Sequence, residues 1–137
     1  MPAIELDMLI AYVNRADELH GVAVKIFNAI VNRKLKNIGV PSSAYLEYEL
    51  VLKSKGYDDE SISKDIQAFQ NIKNLEEIPL SSNVIIEASR LRQKYKLTYF
   101  DSLHAASALL FDGKIISTDN AYKRILELEV IDPRDIT

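Results

Sequence analysis

The 137-residue sequence predicts an α/β domain, with a mostly parallel sheet covered by helices on both faces. Three observations predict it. Short extended apolar runs alternate along the chain with longer segments of helical periodicity. Apolar residues make up 47 % and charged residues 27 %, the balance of a globular domain able to bury a core. Neither a repeat nor a low-complexity linker interrupts the pattern, so the length reads as one domain over residues 1–137.

A first strand is expected at about residues 3–7 (AIELD), leading directly into helical sequence. Residues 16–34 carry Leu19, Val22, Ala23, Ile26, Ile30 and Val31 at helical spacing. A short extended run follows near Val40, and 43–55 is helical with Leu46, Leu50 and Val51 expected on its inner face. The acids of DDES (58–61) suit a helix start, because they favour the positive end of the helix dipole. Ile62, Ile66, Phe69 and Ile72 extend that helix as an apolar stripe. A strand is expected at 77–80, then a helix over 83–95 facing inward through Val84, Ala88, Leu91 and Tyr95. Thr98 and Asp101 form a capping-box pattern ahead of SLHAASALLF. KIIST (114–118) is a buried-type strand, Asp119-Asn120 opens a short helix to about Leu126, and Leu128 to Ile131 is a last strand. The glycines at 21, 39, 56 and 113 read as punctuation between these segments.

Composition excludes several chemistries. Without cysteine there is no disulfide scaffold, thiolate zinc site, iron–sulfur cluster or cysteine nucleophile, which suits a cytoplasmic address. The opening MPAIELD has no basic stretch and predicts no secretory signal. A formal charge of −3 argues against nucleic-acid binding through bulk charge, though not against a local grip. The dinucleotide, P-loop, zinc-protease and serine-hydrolase signatures are all missing. His20 and His104 stand apart and read as structural or surface residues rather than ligands.

The informative residues are acids. Asp7 and Asp119 are expected at the carboxyl ends of two strands, where open parallel sheets gather ligands. Asp101 falls in the first turn of a helix feeding the KIIST strand, and Glu47 near the start of the helix after the second strand. Singly, each reads equally as a helix cap or a solvated acid. Converging, they would repel one another unless a cation lay among them. Oxygen-only ligands favour Mg²⁺ or Mn²⁺, which can activate water for attack on a phosphodiester. Glu49 is an alternative acid to Glu47, and the two cannot share a helix face.

YFDSLHAASAL (99–109) followed by KIISTD (114–119) resembles the PIN-domain family, most nearly its small VapC-type toxins of toxin–antitoxin pairs. The remaining blocks, IELDMLIAYVN, VPSSAYLEYELVL, IISTDNAYKRI and LEVIDP, come in the family's order, so the resemblance spans nearly the whole chain. It implies a three-layer α/β/α sandwich with a central parallel sheet of four to five strands. It implies a divalent-metal-dependent endoribonuclease whose catalytic and metal-holding acids are Asp7, Glu47, Asp101 and Asp119, with Thr118 beside the last. Mg²⁺ or Mn²⁺, an RNA substrate, a cognate antitoxin and a homodimer come with it.

One departure stands out. The family follows its first acid with two small polar residues that help to orient it. Met8 and Leu9 follow Asp7 here, which predicts a poorly held acid and reduced activity. Lys123 and Arg124, just after Asp119, are the candidates for gripping a phosphate. Arg90, Arg92, Lys94 and Lys96 read as a solvated basic run, and Tyr95, Tyr99 and Phe100 as packing residues. Two helical stretches, Ile26–Val31 and Leu46–Leu52, are candidate dimer or antitoxin surfaces. The competing readings are an RNA-processing PIN nuclease without an antitoxin, and a catalytically weak PIN-like module that binds RNA or a partner.

Overall fold

The computed structural model of the protein describes residues 2–136. Five strands make one sheet: β1 (Ala3–Ile4), β2 (Ile38–Pro41), β3 (Leu75–Ile78), β4 (Lys114–Ile116) and β5 (Glu129–Ile131). Their order is β3-β2-β1-β4-β5 and every pairing is parallel. Six α-helices connect them: α1 (Leu6–Val13), α2 (His20–Val31), α3 (Ser42–Ser54), α4 (Asp59–Gln70), α5 (Ser82–Lys94) and α6 (Tyr99–Phe111). Short 3₁₀ turns at Asn120–Arg124 and Pro133–Asp135 flank β5. None of the described helices is long and apolar enough to cross a membrane.

Strand alternation creates the three layers. Successive side chains of a strand point to opposite faces. Ile4 and Ile116 enter one core with α1, α2, α3 and α4, and Ile131 packs against it. Ala3 and Ile115 enter a second core with α5 and α6, against which Val130 packs. The sheet is thus buried on both faces, as a parallel sheet requires.

β1 lies at the centre of the sheet. The chain builds β2 and β3 on one side of it and then returns to place β4 on the other. A crevice therefore opens beyond the carboxyl ends of β1 and β4, where ligands of such sheets gather. Helices α1 and α3 begin at that edge directly after β1 and β2, and α6 begins there because it runs back to the start of β4. Side chains fix several of these starts. Glu5 caps α1 by accepting from Leu6 N at 2.9 Å. Thr98 caps α6 through Asp101 N at 3.2 Å.

Several sequence expectations need correction. The first strand stops at Ile4, so Asp7 lies in the first turn of α1 rather than at a strand end. β4 ends at Ile116, and Asp119 caps the following 3₁₀ turn. β3 begins two residues earlier than expected. On α3 the inner face is Ala44, Tyr45 and Tyr48, while Leu46 and Leu50 are 42 % and 48 % exposed. The aromatic rings displace the leucines because they cluster around Phe69. Val31 of α2 is also exposed, and Phe27 takes an inner position.

Two glycines are not punctuation. Gly21 lies within α2 and Gly39 within β2. A Cβ on Gly39 would meet Ile78 Cγ1 at 3.0 Å and Phe111 Cε2 at 3.2 Å, whereas one on Gly21 meets nothing within 4 Å. Gly39→Ala should therefore lower stability by about 1–3 kcal/mol through overpacking. Gly21→Ala should raise it by about 0.5–1 kcal/mol through helix propensity and a stiffer unfolded chain. Urea denaturation of the two variants checks both signs.

Candidate active site

Beyond the carboxyl ends of β1 and β4 lies a cleft of about 370 Å³. Six acids line it, Glu5, Asp7, Asp17, Glu47, Asp101 and Asp119, with Leu6, Ile10 and Leu19 and no basic residue. Asp7 and Glu47 come from α1 and α3, and Asp101 from the first turn of α6. Asp119 follows β4. The four acids expected from the sequence are thus brought together. Glu49 does not line the cleft; its charge acts on Lys53, one turn further along α3. Another hollow of about 290 Å³, between α1, α3 and α4, has Asp65 as its single acid, hydrogen-bonded by Tyr48.

Each of the four acids has a defined hydrogen-bond partner. Asp7 Oδ2 accepts from Thr118 N at 2.9 Å and from Thr118 Oγ1 at 3.0 Å. Met8 and Leu9 are fully buried in the core, so the orientation of Asp7 is supplied from across the sheet instead of by its own helix. Asp101 Oδ1 accepts from Tyr122 Oη at 3.2 Å. Glu47 Oε1 accepts from His104 Nε2 at 2.7 Å. Asp119 Oδ1 caps Ala121 N at 2.9 Å.

Glu5 and Asp17 are not among the acids the sequence singles out. Glu5 is the first residue after β1 and is only 5 % exposed. It accepts from Ser117 Oγ at 2.9 Å, and its Oε2 lies 3.3 Å from Tyr122 Oη. Burial pushes its pKa well above the usual carboxylate range, and the neighbouring Asp7 charge pushes it further. The strand expected at 3–7 would have carried the chain past it. Its signal is the acid itself, standing in an otherwise apolar run just before a helix. Asp17 lies in the loop between α1 and α2, where no periodicity marks it. Tyr122 is overshadowed in the sequence by its basic neighbours, yet it is fully buried and bridges Glu5 and Asp101.

The expected supporting cations sit elsewhere. Lys123 lines an adjoining polar pocket with Ser117, Thr118, Asn120 and Arg134. Arg124 is committed to the Lys96 carbonyl at 2.8 Å. Arg90 and Lys94 both pair with Glu127, whose pKa three such partners, Tyr95 first, lower to about 2. Arg92 donates to Ser102 Oγ and lies 5.0 Å from the centre of the Tyr99 ring, which is 59 % exposed rather than packed in the core. His20 is structural, with Nδ1 2.8 Å from the Ala11 carbonyl oxygen.

The donor set suits a hard divalent cation. It is all oxygen and strongly acidic, and Asp7 Oδ1 is buried without a hydrogen-bond partner. Among the described residues no three His, Asp or Glu side chains are already arranged around one ion point, so ligation requires the carboxylates to close in.

A PIN-domain family profile matches residues 7–128. By sequence, no curated protein matches significantly. Among solved structures, VapBC2 from Rickettsia felis bound to a promoter DNA fragment aligns with TM-score 0.72 at 17 % identity, covering 94 % of this chain and 96 % of that one. A toxin–antitoxin complex from Klebsiella pneumoniae aligns with TM-score 0.67 at 16 % identity, covering 97 % and 98 %. VapC20 from Mycobacterium tuberculosis, a toxin that cleaves the sarcin–ricin loop, aligns with TM-score 0.73 at 11 % identity, covering 95 % and 98 %. At these identities the likeness establishes the fold.

The electrostatics set a pH dependence. Burial, then repulsion from Asp119, raises the Asp101 pKa, in the same direction as Glu5. A carboxyl whose folded pKa lies above its unfolded value holds its proton longer in the native state, so stability falls as pH rises through that window. The metal-free protein should therefore show a higher Tm just above the ordinary carboxylate range than at neutral pH. Glu127 and Asp132, lowered to about 2, act oppositely only at more acid pH. Asp101→Asn should flatten the slope and keep the neutral-pH Tm level or higher; thermal melts in EDTA across pH measure both. A large Tm loss would mean that the Asp101 carboxylate serves mainly to hold the helix start.

Proposed function

The chain belongs to the PIN-domain family, and from that premise we propose that it is a divalent-metal-dependent endoribonuclease, the toxin of a type II toxin–antitoxin system. The observation that carries this reading is the cleft itself, where acids from five separate chain segments meet with no basic side chain lining it. A scaffold has no use for such repulsion, whereas phosphodiester hydrolysis does.

Asp7, Glu47, Asp101 and Asp119 would hold Mg²⁺ or Mn²⁺, with Glu5 at their base. A divalent ion bound there supplies an activated water and charge neutralisation for the departing oxyanion. The chain's own residues do the positioning. Thr118 keeps the Asp7 Oδ2 oxygen fixed through its backbone N–H and its hydroxyl. Tyr122 directs Asp101. Lys123, in the adjoining pocket, is placed for a phosphate flanking the cut, a task for which Arg124 is already committed.

The structural neighbours include toxin–antitoxin assemblies, which supports a cognate antitoxin as partner. The same reading takes the protein to be a cytoplasmic homodimer. Leu46 and Leu50, exposed one turn apart on α3, offer apolar surface for such contacts.

The test is cleavage of a mixed structured-RNA pool with Mg²⁺, with Mn²⁺ and with EDTA. Cutting should need metal, and Asp7→Asn or Asp101→Asn should each reduce it by at least about 10²-fold, the loss typical of one preorganised charge-stabilising group. Cutting that persists in EDTA, or in both variants, overturns the reading.

A further inference from the structure

His104 is fully buried on α6, one turn after Asp101, and both ring nitrogens are engaged. Nε2 lies 2.7 Å from Glu47 Oε1 and Nδ1 lies 2.8 Å from Ser43 Oγ. Ser43 and Glu47 are themselves one turn apart on α3. A Ser43–His104–Glu47 chain therefore crosses the α3–α6 interface and ends in the acidic cleft.

Proton placement along it follows from donor chemistry. A carboxylate oxygen only accepts, so Nε2 carries a hydrogen and donates it to Glu47. Nδ1 and the Ser43 hydroxyl are hydrogen-bonded to each other. The Phe100 ring lies 6.1 Å away at 28° and restricts the imidazole further. The imidazole cannot swing into the cleft without losing both bonds.

The same three residue types make a hydrolase triad, but Ser43 is fully buried and out of reach of any substrate. Nor is His104 a ligand, since neither nitrogen has a lone pair facing the cleft. Glu47 does face it and is reached through three rotatable bonds. Its Oε1 is tied to His104, and among the described residues its Oε2 receives no hydrogen bond. A satisfied buried polar chain adds little stability over apolar residues of the same shape. Its use here is direction.

We infer that His104 is a positioning residue that presents the Glu47 carboxylate to the bound cation, with Ser43 fixing the ring. The inference rests on the proposed role of Glu47 in holding that ion. It extends to a carboxylate the arrangement by which outer partners orient metal ligands.

The experiment is Mn²⁺ binding to the full chain by titration calorimetry, with thermal melts of each variant alongside. His104→Leu should weaken binding by about 10–100-fold, as outer-partner changes do. His104→Gln, whose amide nitrogen can reach Glu47, should restore most of it, and Ser43→Ala should lose only a few-fold. Glu47→Gln should weaken binding comparably, and His104→Leu added to it should cost little more. If Glu47→Gln weakens Mn²⁺ while folded His104→Leu and His104→Gln bind like the wild type, His104 does not position Glu47. Should His104→Leu fail to fold, Ser43→Ala decides between the same two outcomes: wild-type Mn²⁺ affinity overturns the inference, and a few-fold loss with an unchanged melting temperature supports it. If Glu47→Gln itself binds normally, the role of Glu47 in the metal reading fails, and the inference with it.

Discussion

Repulsion among carboxyl groups at one end of the sheet is the constraint around which this structure is arranged. Six acids share a cleft of about 370 Å³, and two of them, Glu5 and Asp101, have their pKa values raised mainly by burial. A small domain has only a narrow margin of stability to set against such a cost. The sheet topology makes the crowding unavoidable. Parallel strands deliver every carboxyl end to one edge, and the return of the chain to β4 beside β1 opens a crevice there. Three helices also begin at that edge, so their positive ends offset part of the charge.

The offset is local, and no basic residue lines the cleft. Three of the acids are instead anchored by a donor from another element: Asp7 by Thr118, Asp101 by Tyr122, Glu47 by His104. A lysine or arginine in the same places would neutralise the charge permanently and compete with a cation. The Thr118 and Tyr122 hydroxyls fix direction and leave the charge available. Outside the cleft, Arg90 and Lys94 pair with Glu127 and Arg134 with Asp132. Placing the basic side chains away from the cleft and hydroxyl donors within it separates the task of holding the fold from that of binding an ion.

Much of this is legible in the sequence. Short extended apolar runs and helical spacing, with caps such as Thr98, locate nearly every element, and the placement of Asp101 and Asp119 about the KIIST strand points to the acidic cleft. The failures share a cause. Strand length is set by pairing partners: β1 stops after two residues because Glu5 turns to cap α1, which moves Asp7 onto a helix and conceals Glu5. The inner face of α3 is decided by Tyr45 and Tyr48 meeting Phe69, a contact between residues far apart in sequence. The polar partners are invisible for the same reason. The hydrogen bond from His104 to Glu47 spans 57 positions, and those from Thr118 to Asp7 span 111. A histidine that looks isolated along the chain can be the most constrained residue in the site.

The departure at Met8 and Leu9 shows how this long-range anchoring frees the local sequence. A first-turn acid followed by two apolar residues would be poorly directed if its own helix had to supply the partner. Here those residues fill the core beneath α1, and Thr118 reaches Asp7 from the end of β4. The β1–β4 pairing places Ile4 opposite Ile116 and so brings the segments that follow the two strands side by side. The orientation of Asp7 therefore depends on strand register, which is fixed by burial on both faces of the sheet. A one-residue slip would turn Ile4 out of its core and remove Thr118 from Asp7 together. The packing that specifies the fold and the hydrogen bonds that aim the acid are, at this position, enforced by the same register.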